Sequence, residues 1–262
     1  MSIITLADEI VHYEVLGRGR PVLFLHGWIG SWRYWVPAMQ FASISYRTYA
    51  LDMWGFGDTA RRLGDYTIAG QSSLVASFLE ALGMDKIALV GHGLGGLVGL
   101  YFSSQNPGMV DRLLVTGVPE DPASLHPRMR QASAGELAEW LLGRHPSAEA
   151  AKKEAAKTDA QAIQLSLNDL SMLDLSRLVN NLACPALFVY GEDDPAVPVP
   201  PNGALDSLPP FTHAIVFAAS AHFPMLDEAS QYNRLLIDFL ALPSGESPRQ
   251  LQLKEEWKRR VR

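Results

Sequence analysis

The sequence predicts a mostly parallel, doubly wound α/β sheet with a helical insertion, and three observations carry that prediction. Six short apolar runs, PVLFLHG (21 to 27), RTYALDM (47 to 53), KIALVGH (86 to 92), RLLVTGV (112 to 118), ALFVYGE (186 to 192) and HAIVFAA (213 to 219), each end in Gly or a polar turn. Continuous runs of this kind are the pattern of strands covered on both faces. Helical patterns such as TIAGQSSLVASFLEALG and LVGLYFSSQNP lie between them, so strands alternate with helices and a parallel sheet with right-handed crossovers follows. A third stretch, about 119 to 182, breaks the rhythm: it is rich in Ala, Glu, Lys and Leu.

Taken in chain order, ITLADEIVHYEVLG alternates apolar and polar residues before Gly-rich turns, the signature of an antiparallel start. Residues 1–118 and 183–243 then form the core. Residues 119–182 carry helical patterns at SAGELAEWLLG, SAEAAKKEAAKTDAQAIQLSL and SMLDLSRLVNNL. An insertion at the carboxyl edge of such a sheet sits over the ligand crevice, so its expected role is a lid. Residues 244–262, SPRQLQLKEEWKRRVR at their end, read as a charged helix or tail whose cations are a solvated surface.

At 262 residues with 48% hydrophobic and 19% charged residues, the chain suffices for one large domain with a substantial core. A net charge of -6 gives no basic footprint for nucleic acid or an anionic membrane. The amino terminus has acids and no basic flank before an apolar core, and no apolar run reaches spanning length, so a soluble, cytoplasmic protein is expected. The single cysteine, Cys184, rules out an internal disulfide or a cysteine-based metal cluster. No metal and no organic cofactor is called for.

The most informative stretch is LVGHGLGGLVGLYF, Leu89 to Phe102, a strand running into a tight turn and a helix. Through Gly91, Gly93 and Gly96 it is a G-x-G-x-x-G dinucleotide fingerprint. Through Gly91, Gly93 and Gly95 it is a G-x-S-x-G nucleophile elbow that lacks its serine. The fingerprint normally closes the first strand and is followed about 20 residues later by an acid ending the next one. Here the glycines follow a mid-sheet strand, and Asp111 precedes the next strand, at the wrong edge for a ribose.

Five segments favour the elbow: HGW at 26 to 28, LDMWGFGDT at 51 to 59, VGHGLGG at 90 to 96, YGEDDPAVP at 190 to 198 and AHFPMLDE at 221 to 228. In this order, with a helical gap before the fourth, the chain resembles the alpha/beta-hydrolase family over nearly its whole length. The resemblance implies that Gly93 occupies the position of the nucleophile, which is therefore lost. It implies that Asp194 is the triad acid in preference to Asp193, and that His222 is the base. It also implies an oxyanion hole made by the backbone N–H groups of Trp28 and Leu94, which do not depend on the missing side chain.

Glycine at a strained elbow with positive φ removes a penalty of about 1 to 3 kcal/mol borne by other residues. It also excludes an acyl-enzyme through residue 93, because no atom is there to form the bond. His92 is expected to pack or hydrogen-bond beneath the turn, His26 to be structural, Ser220 to point away, and Asp52 and Asp58 to brace the Gly-Phe-Gly loop. Four of the six tryptophans fall between residues 28 and 54. Trp32, Trp35 and Trp54, with Trp28, imply an aromatic pocket for a small apolar molecule, or else rings packing lid against sheet. Three functions stay open at this level: hydrolysis of a small apolar ester or related bond, a noncatalytic relative that binds a small molecule or partner, and cofactor-free His-Asp base chemistry of lyase or oxygenase type. The sequence leaves the oligomeric state unknown.

Overall fold

The computed structural model describes residues 2–142 and 148–254. Its eight-stranded sheet has the order β1-β2-β4-β3-β5-β6-β7-β8. The strands are β1 (Ser2–Leu6), β2 (Glu9–Gly17), β3 (Arg20–Leu25), β4 (Tyr46–Leu51), β5 (Ile87–His92), β6 (Val110–Thr116), β7 (Ala186–Gly191) and β8 (Thr212–Phe217). The β1–β2 and β2–β4 pairings are antiparallel, and all the others are parallel. The six apolar runs are therefore β3 to β8. Every residue of β5 and β7 is buried, as strands covered on both faces must be.

The sheet is flanked by α1 (Val36–Ala42), α2 (Ile68–Ala81), α3 (Leu94–Gln105), α9 (Asn202–Asp206), α10 (Pro224–Asp227) and α11 (Ala229–Ala241), while α4 (Arg128–Gln131), α5 (Ala134–Leu142), α6 (Ala148–Ala155), α7 (Ala160–Leu170) and α8 (Leu175–Asn180) fill the connection from β6 to β7. The stretch read as one helical pattern, SAEAAKKEAAKTDAQAIQLSL, is two helices. Asp159 interrupts it by capping α7: its extended backbone aims Oδ1 at the Gln161 N–H, 3.0 Å away.

The insertion is fastened to the core along one side. Tyr66 donates to Asp159 Oδ2 at 2.8 Å, the Ile68 N–H donates to Asp169, and the Asp159 N–H donates to the Gly55 carbonyl. Glu154, almost fully buried, pairs with Arg33 at 3.0 Å and Lys157 at 3.1 Å, and Lys157 reaches Asp58 at 2.9 Å. The described part of the carboxyl-terminal segment is not a helix beyond the single 3-10 turn Pro248–Gln250. It lies along β8, with Arg249 donating to the Thr212 carbonyl and His213 bonded to the Leu251 carbonyl. The rest of the expected charged tail, 255–262, lies outside the described residues. No helix among the described residues is long and apolar enough to cross a membrane.

Candidate active site

The turn between β5 and α3 brings the site together. Gly93 has φ 50° and ψ -115°, a combination that disfavours any residue with a Cβ. Its N–H donates to the Thr116 carbonyl at 2.9 Å, and the Gly95 N–H donates to the His26 carbonyl at 2.9 Å, clamping the turn between β6 and the loop after β3. Gly95 allows that second approach, since a Cβ there would collide with the Leu25 and His26 carbonyls. The third glycine of the dinucleotide pattern, Gly96, has a packing role: a Cβ would sit 2.6 Å from Val118 Cγ2 and 2.9 Å from Val115 Cγ1. Asp111, the candidate ribose ligand of that pattern, ion-pairs instead with Arg112 and Lys86 at the opposite edge of the sheet.

Asp194 and His222 meet at the ends of β7 and β8. His222 Nδ1 lies 2.8 Å from Asp194 Oδ2, with both side chains 2% exposed. The other oxygen of Asp194 accepts the N–H groups of Ala196 (2.8 Å) and Val197 (3.1 Å), so the carboxylate is fixed in the loop that supplies it. A carboxylate only accepts, so Nδ1 carries the proton and Nε2 presents its lone pair. Asp193 is exposed, with its backbone N–H bonded to the Ser220 carbonyl, and Ser220 Oγ donates to Glu228.

Trp28 and Leu94 supply two backbone N–H groups that donate to no acceptor among the described residues. Leu94 is the first residue of α3, where a helix leaves its N–H groups unsatisfied. The indole of Trp28 has a second part in the site that the sequence did not disclose. A Cβ on Gly93 would lie 3.3 Å from Trp28 Cε3 and 3.4 Å from Cζ3, so the indole edge lies against the glycine. The ring is buried and is held by Nε1–H donating to Ser166 Oγ of α7 at 3.0 Å.

Beneath the turn, hydrogen bonds fix the histidine tautomers. The Gly27 N–H donates to Tyr34 Oη at 2.6 Å; the hydroxyl must then donate to His92 Nδ1 at 3.0 Å; and His92 Nε2–H donates to the His222 carbonyl at 2.9 Å. His92 is fully buried, and that burial, reinforced by nearby His222, holds its pKa well below the ordinary imidazole value. It is therefore a neutral brace. His26 donates from Nδ1 to the Gly27 carbonyl and accepts the Met53 N–H on Nε2, and burial lowers its pKa too. Asp52 braces its loop by accepting the Trp32 and Asp58 N–H groups and holding buried His12 Nδ1 at 3.0 Å, a partner the sequence gave no reason to pair with it.

The other three tryptophans of the expected pocket lie elsewhere. Trp35 is a core residue, its ring against Phe24, Tyr34 and Tyr232. Trp32 lies beside His12 with the Arg33 guanidinium 4.8 Å above its ring. Trp54 is buried under Arg62, with its backbone paired to the Gln71 side chain. Their residues follow β3 and β4 as expected, but their rings turn into packing between loops and core.

Comparison with known proteins bears on the fold. The family pattern described as alpha/beta hydrolase fold matches residues 20–229. A protein of Klebsiella pneumoniae (strain 342), provisionally named carbamate hydrolase RutD, is 29% identical over 245 residues, covering 85% of this chain and 92% of its own. A soluble epoxide hydrolase of Corynebacterium sp. (strain C12) is 31% identical over 105 residues, which are 40% of this chain and 37% of that relative. Among solved structures, the N-acyl homoserine lactonase AidH, in a form with serine replaced by glycine and complexed with N-hexanoyl homoserine lactone, has a TM-score of 0.79 at 20% identity and covers 91% of this chain and 96% of that one. The enol-lactonase from Burkholderia xenovorans LB400 has a TM-score of 0.80 at 19% identity, with 92% and 100% covered.

Proposed function

Because this chain belongs to the alpha/beta hydrolase fold family, we propose that it hydrolyses a small apolar ester or lactone through water activated by His222, with no covalent intermediate on residue 93. The observation that carries this reading is the His222–Asp194 pair at 2.8 Å, whose Nε2 has no partner among the described residues, in a site where the Trp28 and Leu94 N–H groups likewise have none among them. Asp194 holds the imidazole in the tautomer that accepts a proton, and stabilises the imidazolium once it forms. Nε2 takes a proton from water as the water oxygen attacks the carbonyl carbon. The two N–H groups receive the negative charge that develops on the carbonyl oxygen. Collapse then expels the alkoxide, which takes the proton back from His222. The helices α4 to α8 form the lid, and the Trp28 indole forms one wall beside Gly93.

The relatives support the substrate class by analogy. The lactonase form with glycine in place of a serine holds an acyl homoserine lactone, a small ester with an apolar tail. One observation favours a second, noncatalytic reading: the indole lies where a side chain at 93 would project, which suits a site kept for binding. Direct abstraction of a substrate proton by His222 is a third use of the same base.

A panel of short-chain p-nitrophenyl esters and acyl lactones, run beside His222→Ala and a serine-directed phosphonate, tests the proposal. Turnover that vanishes in His222→Ala, with no phosphonate adduct, supports it. Tight binding of panel members without turnover supports the noncatalytic reading instead.

A further inference from the structure

A cavity of about 140 Å³ lies on the flank of the sheet, walled by Leu100 of α3, Val179 of α8, Phe188 of β7 and Leu205 of α9. None of Gly93, Leu94, Trp28, Asp194 or His222 lines it. Leu100 is seven residues beyond Gly93 in the chain, which at the rise of an α-helix is about 10 Å along α3 from the elbow. The cavity is thus separate from the site described above.

Those apolar side chains make one part of the lining, and Glu120, Ser176, Asn180, Tyr190 and Ser207 make the polar part. Tyr190, at the end of β7, is 5% exposed, yet its hydroxyl makes no hydrogen bond to any described residue. The hydroxyl is reached from the cavity and is not sealed in the protein, so it is open to a partner that enters. Burial and the nearby Glu120 carboxylate raise its pKa, so it is a neutral hydroxyl able to donate and to accept. Glu120, in the loop after β6, has no hydrogen bond or ion pair from its side chain among the described residues.

Glu120, Leu175 and Ser176 also line a wider, open hollow of about 510 Å³, whose remaining ionisable residues are Asp121, Asp174 and Arg130. Three carboxylates against one guanidinium make the shared mouth electronegative.

We infer that the flank cavity is a second ligand site, for a benzene-sized apolar group bearing an ammonium. The apolar group fills the space among Leu100, Val179, Phe188 and Leu205, and the ammonium N–H groups reach the Glu120 carboxylate and the Tyr190 hydroxyl. The size fits, because the space of about 140 Å³ is close to the roughly 150 Å³ that takes up benzene in an apolar cavity. The charge fits as well: N⁺–H to carboxylate is among the stronger hydrogen bonds, whereas an anion of equal size would meet Glu120 as a like charge.

The test is calorimetric titration of the full chain with benzylamine, toluene and benzoate, repeated on Glu120→Gln, Val179→Trp and His222→Ala. Benzylamine should bind at least tenfold tighter than benzoate. Glu120→Gln should weaken it about tenfold, Val179→Trp should abolish binding by filling the cavity, and His222→Ala should leave it unchanged. Equal affinity for benzoate, an unaltered affinity in Glu120→Gln, loss of binding in His222→Ala, or no benzylamine binding at about 10 mM would overturn the inference. Glu120 is exposed, so its neutral isostere decides the question even where Val179→Trp fails to fold.

Discussion

At the ends of β7 and β8 an acid and an imidazole are held in a fully bonded pair, while the turn after β5, which faces them, offers backbone alone. Asp194 has both oxygens occupied and fixes the tautomer of His222. Gly93 contributes no side chain, and the space beside it is bounded by an indole anchored to α7. A base without an adjacent nucleophile has two uses, a water or a substrate proton. The comparison teaches that an acid–imidazole pair can be held whole beside a turn that carries no side chain, because the two are fixed by separate loops.

The largest expected effect comes from placing a hydroxyl at the turn. Gly93→Ser should raise p-nitrophenyl ester hydrolysis more than about a hundredfold and create a burst and a phosphonate adduct. It should also lower stability by about 1 to 3 kcal/mol, since φ at 93 is positive and the new Cβ meets the indole at 3.3 Å. A gain that needs Trp28→Phe as well would locate the obstruction in the indole; no gain in either variant would mean that His222 is not aligned with the elbow.

Acid should weaken the scaffold beneath the glycine. His26 and His92 have pKa values lowered by burial, so below the unfolded value near 6.5 the unfolded chain binds protons that the folded one does not. Stability is then full above about pH 6.5 and falls as the pH drops, by up to about 1.4 kcal/mol per pH unit for each histidine. Urea unfolding should show lower stability at pH 5.5 than at pH 7.5, and His92→Gln should reduce the difference. An unchanged midpoint would contradict the buried, neutral assignment.

Tyr34→Phe strands the Gly27 N–H and His92 Nδ1 together, and should cost about 1 to 3 kcal/mol in denaturant unfolding. Ser166→Ala is the mildest change. It removes the acceptor of the Trp28 indole and should cost about 1 kcal/mol, with a shift in tryptophan emission as the ring loosens. If emission and stability both stay unchanged, the indole is not anchored by α7.

Much of the fold was legible because period and punctuation are local. The runs that became β3 to β8, the glycines of the elbow and the helical gap all follow from neighbours in the chain. Asp194 and His222 were legible only by resemblance, and the structure brings them to 2.8 Å. What stayed hidden depends on contacts distant in sequence. Trp28 meets Ser166 across 138 residues, and His12 meets Asp52 across 40. Trp32, Trp35 and Trp54 have suitable positions, but the direction of each ring is set by packing, not by position. The break before α7 had a local signal, Asp159 as a cap, masked by the helix-forming Ala, Lys and Glu around it.

The most direct test of the central claim is the initial rate of p-nitrophenyl butyrate hydrolysis by the protein and by His222→Ala, with intact-mass spectrometry of each reaction. Water activation by His222 predicts turnover that falls by about 10² to 10⁴ in the variant, with no acyl adduct on either protein. Equal rates in both, or an acyl adduct on the protein, would contradict it.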